Sequence, residues 1–464
     1  MKKYLLIILC LSYLSLSAQT ITIDSLGAGT NTINKNINGL ITRHYTDTID
    51  NILYAVGGFS YSGGKKVYGV AKWDGQTWDS LGSGIRRNLT RDEIDNVIDV
   101  IRFQNEIYIG GAFDKCGGKD INSFARWNGV EWNEVGGGII DTSDFGIEQF
   151  GVIADMEVYN NELYIIGNFK KVGNVLSKGI AKWDGQNWTD LSQGYTYPYP
   201  TNAKMTIMFY NGELYLAGNG MAGLLKRVGN TWVKVGPGVK GDAWINRLEV
   251  YQNKLYAAGY FHTYSGNIDN SFFYTNGTSY FGTAGGVLPS NLFNMQDYKG
   301  ELYVCGQINF AGFQPVGRIA KWNGSQWFNT GLSILDPPNN PAGTLRDMEV
   351  YNGKLIVAGQ FTQINSTQVF GIASIDFGTS GIQNLKPNSI FKIYPNPTNT
   401  TFTVQAKDFA QLESILVYNA LGKLVLTQKA EIENMIDVSG FSKGLYMVEV
   451  RTDKGVAREK LMVE

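Results

Sequence analysis

Two histidines, His44 and His262, are the only imidazoles in the 464 residues, and each stands alone in its stretch. A metal centre needs several ligands at short spacing, and a general base needs a nucleophile beside it. The chain has no Gly-x-Ser-x-Gly, no phosphate-cradling glycine loop, no His-Glu-x-x-His and no calcium-binding loop of the EF-hand kind. Paired carboxylates could still flank a glycosidic bond. Acids in the variable stretches include Asp92, Glu93, Asp95, Asp141, Asp144, Glu148, Asp242 and Asp336. Solvated surface acids account for them, so no catalytic residue, metal ligand or cofactor is expected.

Aromatic residues are the better candidates for a site. Tyr195, Tyr197, Tyr199 and Trp244 fall in segments 195–204 and 239–245, which with 85–96, 139–153 and 332–344 are read as loops. Exposed rings of this kind stack on sugars or anchor a protein contact. The alternative reading is that the tyrosines are buried and anchor their loops.

These loops are set out by a repeat. A strand-like phrase, Glu-Leu-Tyr-x-x-Gly-x-Phe in its fullest form, recurs with its tyrosine at Tyr54, Tyr108, Tyr164, Tyr215, Tyr256 and Tyr303, and with Ile356 in a seventh copy. The spacings run from 41 to 56 residues, the period of a four-stranded propeller blade. Each unit reads as four antiparallel strands, with turns such as Asp74-Gly75, Asn128-Gly129 and Asp184-Gly185 read as two-residue hairpins. Around them stand Trp73 and Trp78, Trp127 and Trp132, Trp183 and Trp188, and Trp322 and Trp327. Recurrence in four units argues for packing between neighbours rather than for a ligand. Repeat four has Arg227 and Trp232 in these places, and repeat five has Thr275 and Tyr280.

The seventh unit lacks a fourth strand. Its missing phrase is found near the start of the chain, where Asp24-Ser25-Leu26-Gly27-Ala28-Gly29 matches Asp79-Ser80-Leu81-Gly82-Ser83-Gly84. The expectation is an all-β fold: a seven-bladed β-propeller over residues 20–378, its last blade completed by the N-terminal strand. On Gly57-Gly58, Gly110-Gly111 and the tryptophans that follow, the repeat resembles the kelch and galactose-oxidase-like propellers. That resemblance implies the fold. The copper site of galactose oxidase is not expected, since it needs two histidines brought together.

The two ends read as addresses. Lys2 and Lys3, an apolar run from Tyr4 to Leu16 and Ser17-Ala18 form a signal peptide over residues 1–18. After a linker at 379–390, residues 391–464 carry short strand-like runs and are read as a small C-terminal β-sandwich. Tyr394-Pro395-Asn396-Pro397, Val417-Tyr418-Asn419-Ala420-Leu421-Gly422-Lys423, Ile436-Asp437-Val438-Ser439 and Lys443-Gly444-Leu445-Tyr446-Met447-Val448-Glu449-Val450 resemble the type A C-terminal sorting domain of the type IX secretion pathway. The resemblance implies Sec export, passage through the type IX machinery and an extracellular or surface location. Its sorting-motif positions here are Tyr394, Pro395, Asn396, Pro397, Gly422, Gly444 and Tyr446.

A net charge of −1 offers no footprint for nucleic acid, and no later stretch is long and apolar enough to span a bilayer. Cys116 and Cys305 fall in different repeats and are read as separate thiols. The expected product is a monomer that binds a glycan or protein, with a carbohydrate-active hydrolase or lyase as the rival.

Overall fold

The computed structural model describes residues 21–26, 38–86, 96–142, 148–195 and 205–378, apart from 220, 222, 264–270, 284, 289–290 and 337–342. In the tail it describes 391–406, 412–419, 424–429, 434–452 and 455–464. The described chain is all β, without a helix, and falls into two compact units, Ile21–Phe377 and a C-terminal one beginning at Gly378. The signal-peptide reading lies outside the described residues.

Among the described residues the first unit contains one antiparallel sheet per repeat, six of them four-stranded, while that of repeat one has a fifth short strand, Lys65–Lys66, beside its four. In repeat three, Val152–Tyr159, Glu162–Asn168, Ile180–Trp183 and Trp188–Asp190 pair in that order. The recurring tyrosine lies in the second strand, and all six copies are buried. In the seventh sheet the fourth place is taken by Ile21–Ser25, which pairs antiparallel with Ile372–Phe377 from Ile21 opposite Phe377 to Ser25 opposite Ala373. Ile21 and Ile23 pack against the core of that sheet.

The turns between third and fourth strands differ from the two-residue hairpins expected. Trp73 pairs directly with Trp78, which leaves four residues in the turn, and only Gly75 has a positive φ, of 99°. The Asp74 carboxylate accepts the backbone N–H of Gln76 (2.8 Å) and Thr77 (2.7 Å). Asn128, Asp184, Asn276 and Asn323 hold their turns in the same way. The side-chain acceptor replaces the second left-handed residue.

Successive sheets meet through their first strands. Asn38–Asp47 lies against Asn96–Phe103, that strand against Val152–Tyr159, and so on through Met205–Tyr210, Val239–Tyr251 and Leu292–Tyr298 to Thr344–Tyr351, which lies against Asn38–Asp47 again. The second tryptophan of each pair reaches back to the preceding repeat: Trp132 Nε1 donates to the Leu81 carbonyl at 2.8 Å, Trp188 to Gly136 at 3.1 Å and Trp232 to Leu191 at 2.9 Å. Tyrosines ending the first strands reach forward, Tyr210 to the Asn253 carbonyl, Tyr251 to Gly300, Tyr298 to Gly353 and Tyr351 to Asn51, all at 2.9–3.0 Å.

Several segments read as loops are built into strands. Val239–Tyr251 runs unbroken through 239–245, with Lys240 opposite His262 and Trp244 opposite Tyr260, and two register shifts absorb the extra residues. His262 therefore belongs to the second strand, Lys254–Thr263. Ile139–Thr142 pairs with Glu148–Phe150, placing Asp141 opposite Gln149. Ile85–Arg86 pairs with Lys115–Cys116 of the next repeat, and Ile334–Leu335 with Gln363–Ile364. Backbone groups on these connections find partners in the neighbouring repeat.

The C-terminal unit has a three-stranded sheet, Phe391–Tyr394, Thr401–Ala406 and Met435–Asp437. Its four-stranded partner is ordered Leu424–Lys429, Leu412–Asn419, Gly444–Thr452 and Gly455–Val463. Phe391, Phe402, Ile415, Val417, Ile436, Val448 and Leu461 fill one core between them. The last strand, Gly455–Val463, pairs along its whole length with Gly444–Thr452.

Candidate functional site

Six of the seven first strands carry a register shift at the same place, and the residue just past it is polar each time: Arg43, Asp99, Asp155, Arg247, Asn294 and Asp347. A bulge re-aims the side chains that follow it. Here the re-aimed carboxylates stitch one sheet to the next. Asp99 Oδ2 accepts the N–H of Met156 at 2.7 Å, Asp155 Oδ2 that of Ile207 at 2.9 Å, and Asp347 Oδ2 that of His44 at 2.6 Å. Asp347 also binds His44 Nδ1 at 2.9 Å and accepts from the Asn294 amide. Arg43 joins two of these acids, with Nε 3.2 Å from Asp99 Oδ1 and Nη2 3.0 Å from Asp155 Oδ1.

Two residues further along, on the same face of their strands, stand Glu157, Glu249 and Glu349. Burial pushes the Glu157 carboxyl up to about 8, with Asp155 adding to it. It takes Glu249 to about 7 and, with Asp347 adding, Glu349 to about 7. The Asp99 carboxyl rises to about 6 through burial, against the pull of Arg43. For Arg43, burial opposes the charge, but Asp99, Asp155, Asp347 and Glu349 outweigh it and hold the guanidinium above its ordinary value. The three aspartates thus have structural partners, while the glutamates are carboxyls that hold protons near neutrality. His44 is buried in this network, with Nδ1 on the Asp347 carboxylate. No group of three or more His, Cys, Asp or Glu side chains suited to a metal is found among the described residues.

Sequence reasoning named none of these acids. Asp336, which it did name, is buried, and Asp92, Glu93, Asp95 and Asp144 lie outside the described residues. The available signal was the phrase Asp-Met-Glu-Val-Tyr, present at both 155–159 and 347–351.

The aromatic candidates divide. Tyr195 is 6% exposed and packs 6.3 Å from the Trp232 ring, within the core between repeats three and four. Its role is the anchoring one, and it offers no surface for a ligand. Tyr197 and Tyr199 lie outside the described residues. Trp244 stacks on Tyr260, with ring centroids 4.9 Å apart and planes 30° from parallel, and Tyr260 is 42% exposed. Tyr260 was not singled out from sequence, although the pairing of the two strands places it opposite Trp244. The repeated tryptophans are packed in the core: Trp73, Trp78, Trp132, Trp322 and Trp327 are buried, with pair centroids about 5 Å apart.

In the C-terminal unit, Asn396 ties the motif to the final strand. Its Nδ2 donates to the Lys460 carbonyl at 2.6 Å, and its Oδ1 accepts the Met462 N–H at 2.9 Å. Tyr446 is buried beside Phe441, and its hydroxyl donates to the Ser442 carbonyl. Gly444 has a φ of 145°, which side-chain-bearing residues rarely adopt. Tyr394 is exposed, and Gly422 lies outside the described residues. Residues 392–464 match the family model described as the secretion system C-terminal sorting domain. The tail is a sorting domain. It supports secretion by the type IX pathway, to the cell surface or beyond, and implies contact with that machinery.

No curated protein matches the chain. Among solved structures, it is similar at 10% identity and a TM-score of 0.43 to the extracellular domain assigned to a hybrid two-component system of B. thetaiotaomicron. That likeness covers 96% of this chain and 59% of the other, so the chain spans about three fifths of that relative. A computationally designed protein is similar at 10% identity and a TM-score of 0.40, covering 95% of this chain and 100% of the other. An α-L-arabinofuranosidase from Clostridium thermocellum follows at 14% identity and 0.24, covering 61% and 94%. At these scores the likenesses fix neither fold nor activity.

Proposed function

We propose that the seven sheets are the blades of a β-propeller closed by the N-terminal strand, and that the exported propeller is a non-catalytic binding module for a glycan or protein. The succession of first strands returning to its start supports the ring. Residues 1–18 are its Sec signal, 20–378 the propeller, 379–390 a linker and 391–464 the sorting domain, with the mature chain a monomer. The observation that carries the binding role is the Trp244–Tyr260 stack, a half-buried indole beside an exposed phenol ring, facing each other across Val239–Tyr251 and Lys254–Thr263. Such a platform suits the C–H face of a sugar or a partner's side chain.

The rival, a carbohydrate-active hydrolase or lyase, draws on Glu157, Glu249 and Glu349, since a carboxyl that stays protonated near pH 7 suits a general acid. A glycan array with the purified chain separates the two. Retention that is lost in Trp244→Ala, without product release, is the expected result. Product release that disappears in Glu157→Gln favours the rival, and retention undiminished in Trp244→Ala overturns the platform.

A further inference from the structure

In four repeats a tryptophan ends the third strand, and two of these lie directly against the glycine that follows the preceding repeat's fourth strand. A Cβ added at Gly82 would stand 3.1 Å from the Trp127 ring, and one at Gly136 would stand 2.7 Å from that of Trp183. Repeat four breaks both halves of this fit. Arg227 stands in the tryptophan's place, opposite Trp232, and Ser192 stands in the glycine's place. An indole at 227 would meet the Ser192 side chain, whereas the arginine does not fill the same space.

A cleft of about 610 Å³ lies between the third and fourth sheets, lined by Tyr164, Lys182, Asp190, Phe209, Glu213 and Arg227, with the turn at 228–230 on its rim. Most of its charges are already engaged. Lys182 donates to Glu162 at 2.6 Å, Glu213 accepts from Lys226 at 3.0 Å, and Asp190 accepts the hydroxyls of Ser177 and Ser192. Arg227 is the exception. It gives one bond to the Leu191 carbonyl (2.6 Å) and lies 5.7 Å from the Trp232 ring centroid, and no carboxylate reaches salt-bridge distance among the described residues. A guanidinium carries five N–H donors in a fork shaped for a carboxylate.

We propose that this cleft binds an acidic saccharide, with Arg227 on the sugar carboxylate. Its volume suits a ligand of one or two rings. Phe209, half-buried and stacked 3.9 Å from Tyr159, supplies apolar ring surface. The Thr189 hydroxyl and the Asn230 amide supply hydrogen bonds for the ring hydroxyls. The site is separate from the Trp244 platform and does not depend on it.

Calorimetric titration of the purified full chain with digalacturonate and with its methyl ester tests the assignment. The acid is expected to bind, with the ester weaker by about tenfold to a hundredfold, the loss of one charge-assisted contact. Arg227→Gln should weaken the acid to the same degree. Arg227→Trp with Ser192→Gly restores the pair used by repeats two and three, so it should keep the melting temperature and abolish binding. Trp244→Ala should leave the titration unchanged, which keeps this test distinct from that of the platform. No binding of the acid, equal affinity for acid and ester, or full binding by the double variant would each overturn the proposal.

Discussion

The indole N–H of Trp78 donates to the Leu26 carbonyl at 3.1 Å, the bond that Trp132 makes to Leu81 at 2.8 Å. Trp132 joins two repeats adjacent in sequence, whereas Trp78 joins the first repeat to the segment just after the N-terminal strand. Leu26 is buried with Trp78 and with Ile356 and Ile372 of the seventh repeat. The junction between the two ends of the repeat array is therefore made like the others.

Trp78→Phe and Trp132→Phe should then cost similar amounts. Each removes one indole donor from a carbonyl at a junction between repeats, and the Leu81 carbonyl keeps the Gly84 N–H at 3.3 Å, so the loss is that of one hydrogen bond, about 0.5–1.5 kcal/mol. Chemical denaturation of both variants checks this. A loss confined to Trp132→Phe would mean that the N-terminal junction carries no load.

Asp347→Ala should be more damaging than either. It strips the acceptor from the His44 N–H, the His44 ring and the Asn294 amide at once. Breaking a buried network of this kind typically costs about 3–5 kcal/mol. A melting temperature close to wild type would contradict the stitching role.

The dependence on pH has a definite sign. Glu157 sits at about 8, Glu249 and Glu349 at about 7 and Asp99 at about 6, against ordinary values of 4.5 for glutamate and 3.8 for aspartate. Between these limits the folded chain keeps protons that the unfolded chain has released, so rising pH favours unfolding. Stability should be greatest near the ordinary carboxyl values and fall as pH rises through about 8. Calorimetric scans should show a lower melting temperature at pH 8.5 than at pH 5.5, by at least about 3 °C. A melting temperature that climbs across that interval would contradict it.

Cys116 and Cys305 are both buried and unpaired, and burial pushes both thiols well above the usual range. Neither should react with a thiol reagent in the native chain, and both should react in denaturant. Rapid labelling of either without unfolding would contradict the packing.

Much of this was legible in sequence because it repeats. The second-strand phrase recurs in all seven units, the tryptophan pairs in four, and Asp-Ser-Leu-Gly at both 24–27 and 79–82, and each marks a contact between units. The tail was legible for a different reason, since several phrases stand in the order of a known domain. The aspartate stitches were not read, because Asp99 and Asp155 meet backbone groups 57 and 52 residues away and Asp347 meets one 303 residues away. A period-two pattern carries no sign of the bulge that re-aims them. Residues 239–245 looked like a loop because Lys240, Gly241 and Asp242 are poor strand formers, yet pairing across to Tyr260 and His262 overrides that preference. Tyr195 looked exposed beside its prolines, and the neighbouring sheet covers it.

Residues 391–464 should deliver the repeat domain out of the cell. Fractionation of cells expressing the chain with and without those residues tests it most directly. The full chain should be recovered at the surface or in the medium, and the truncated chain should be retained inside the outer membrane. Equal surface display of both would contradict the account.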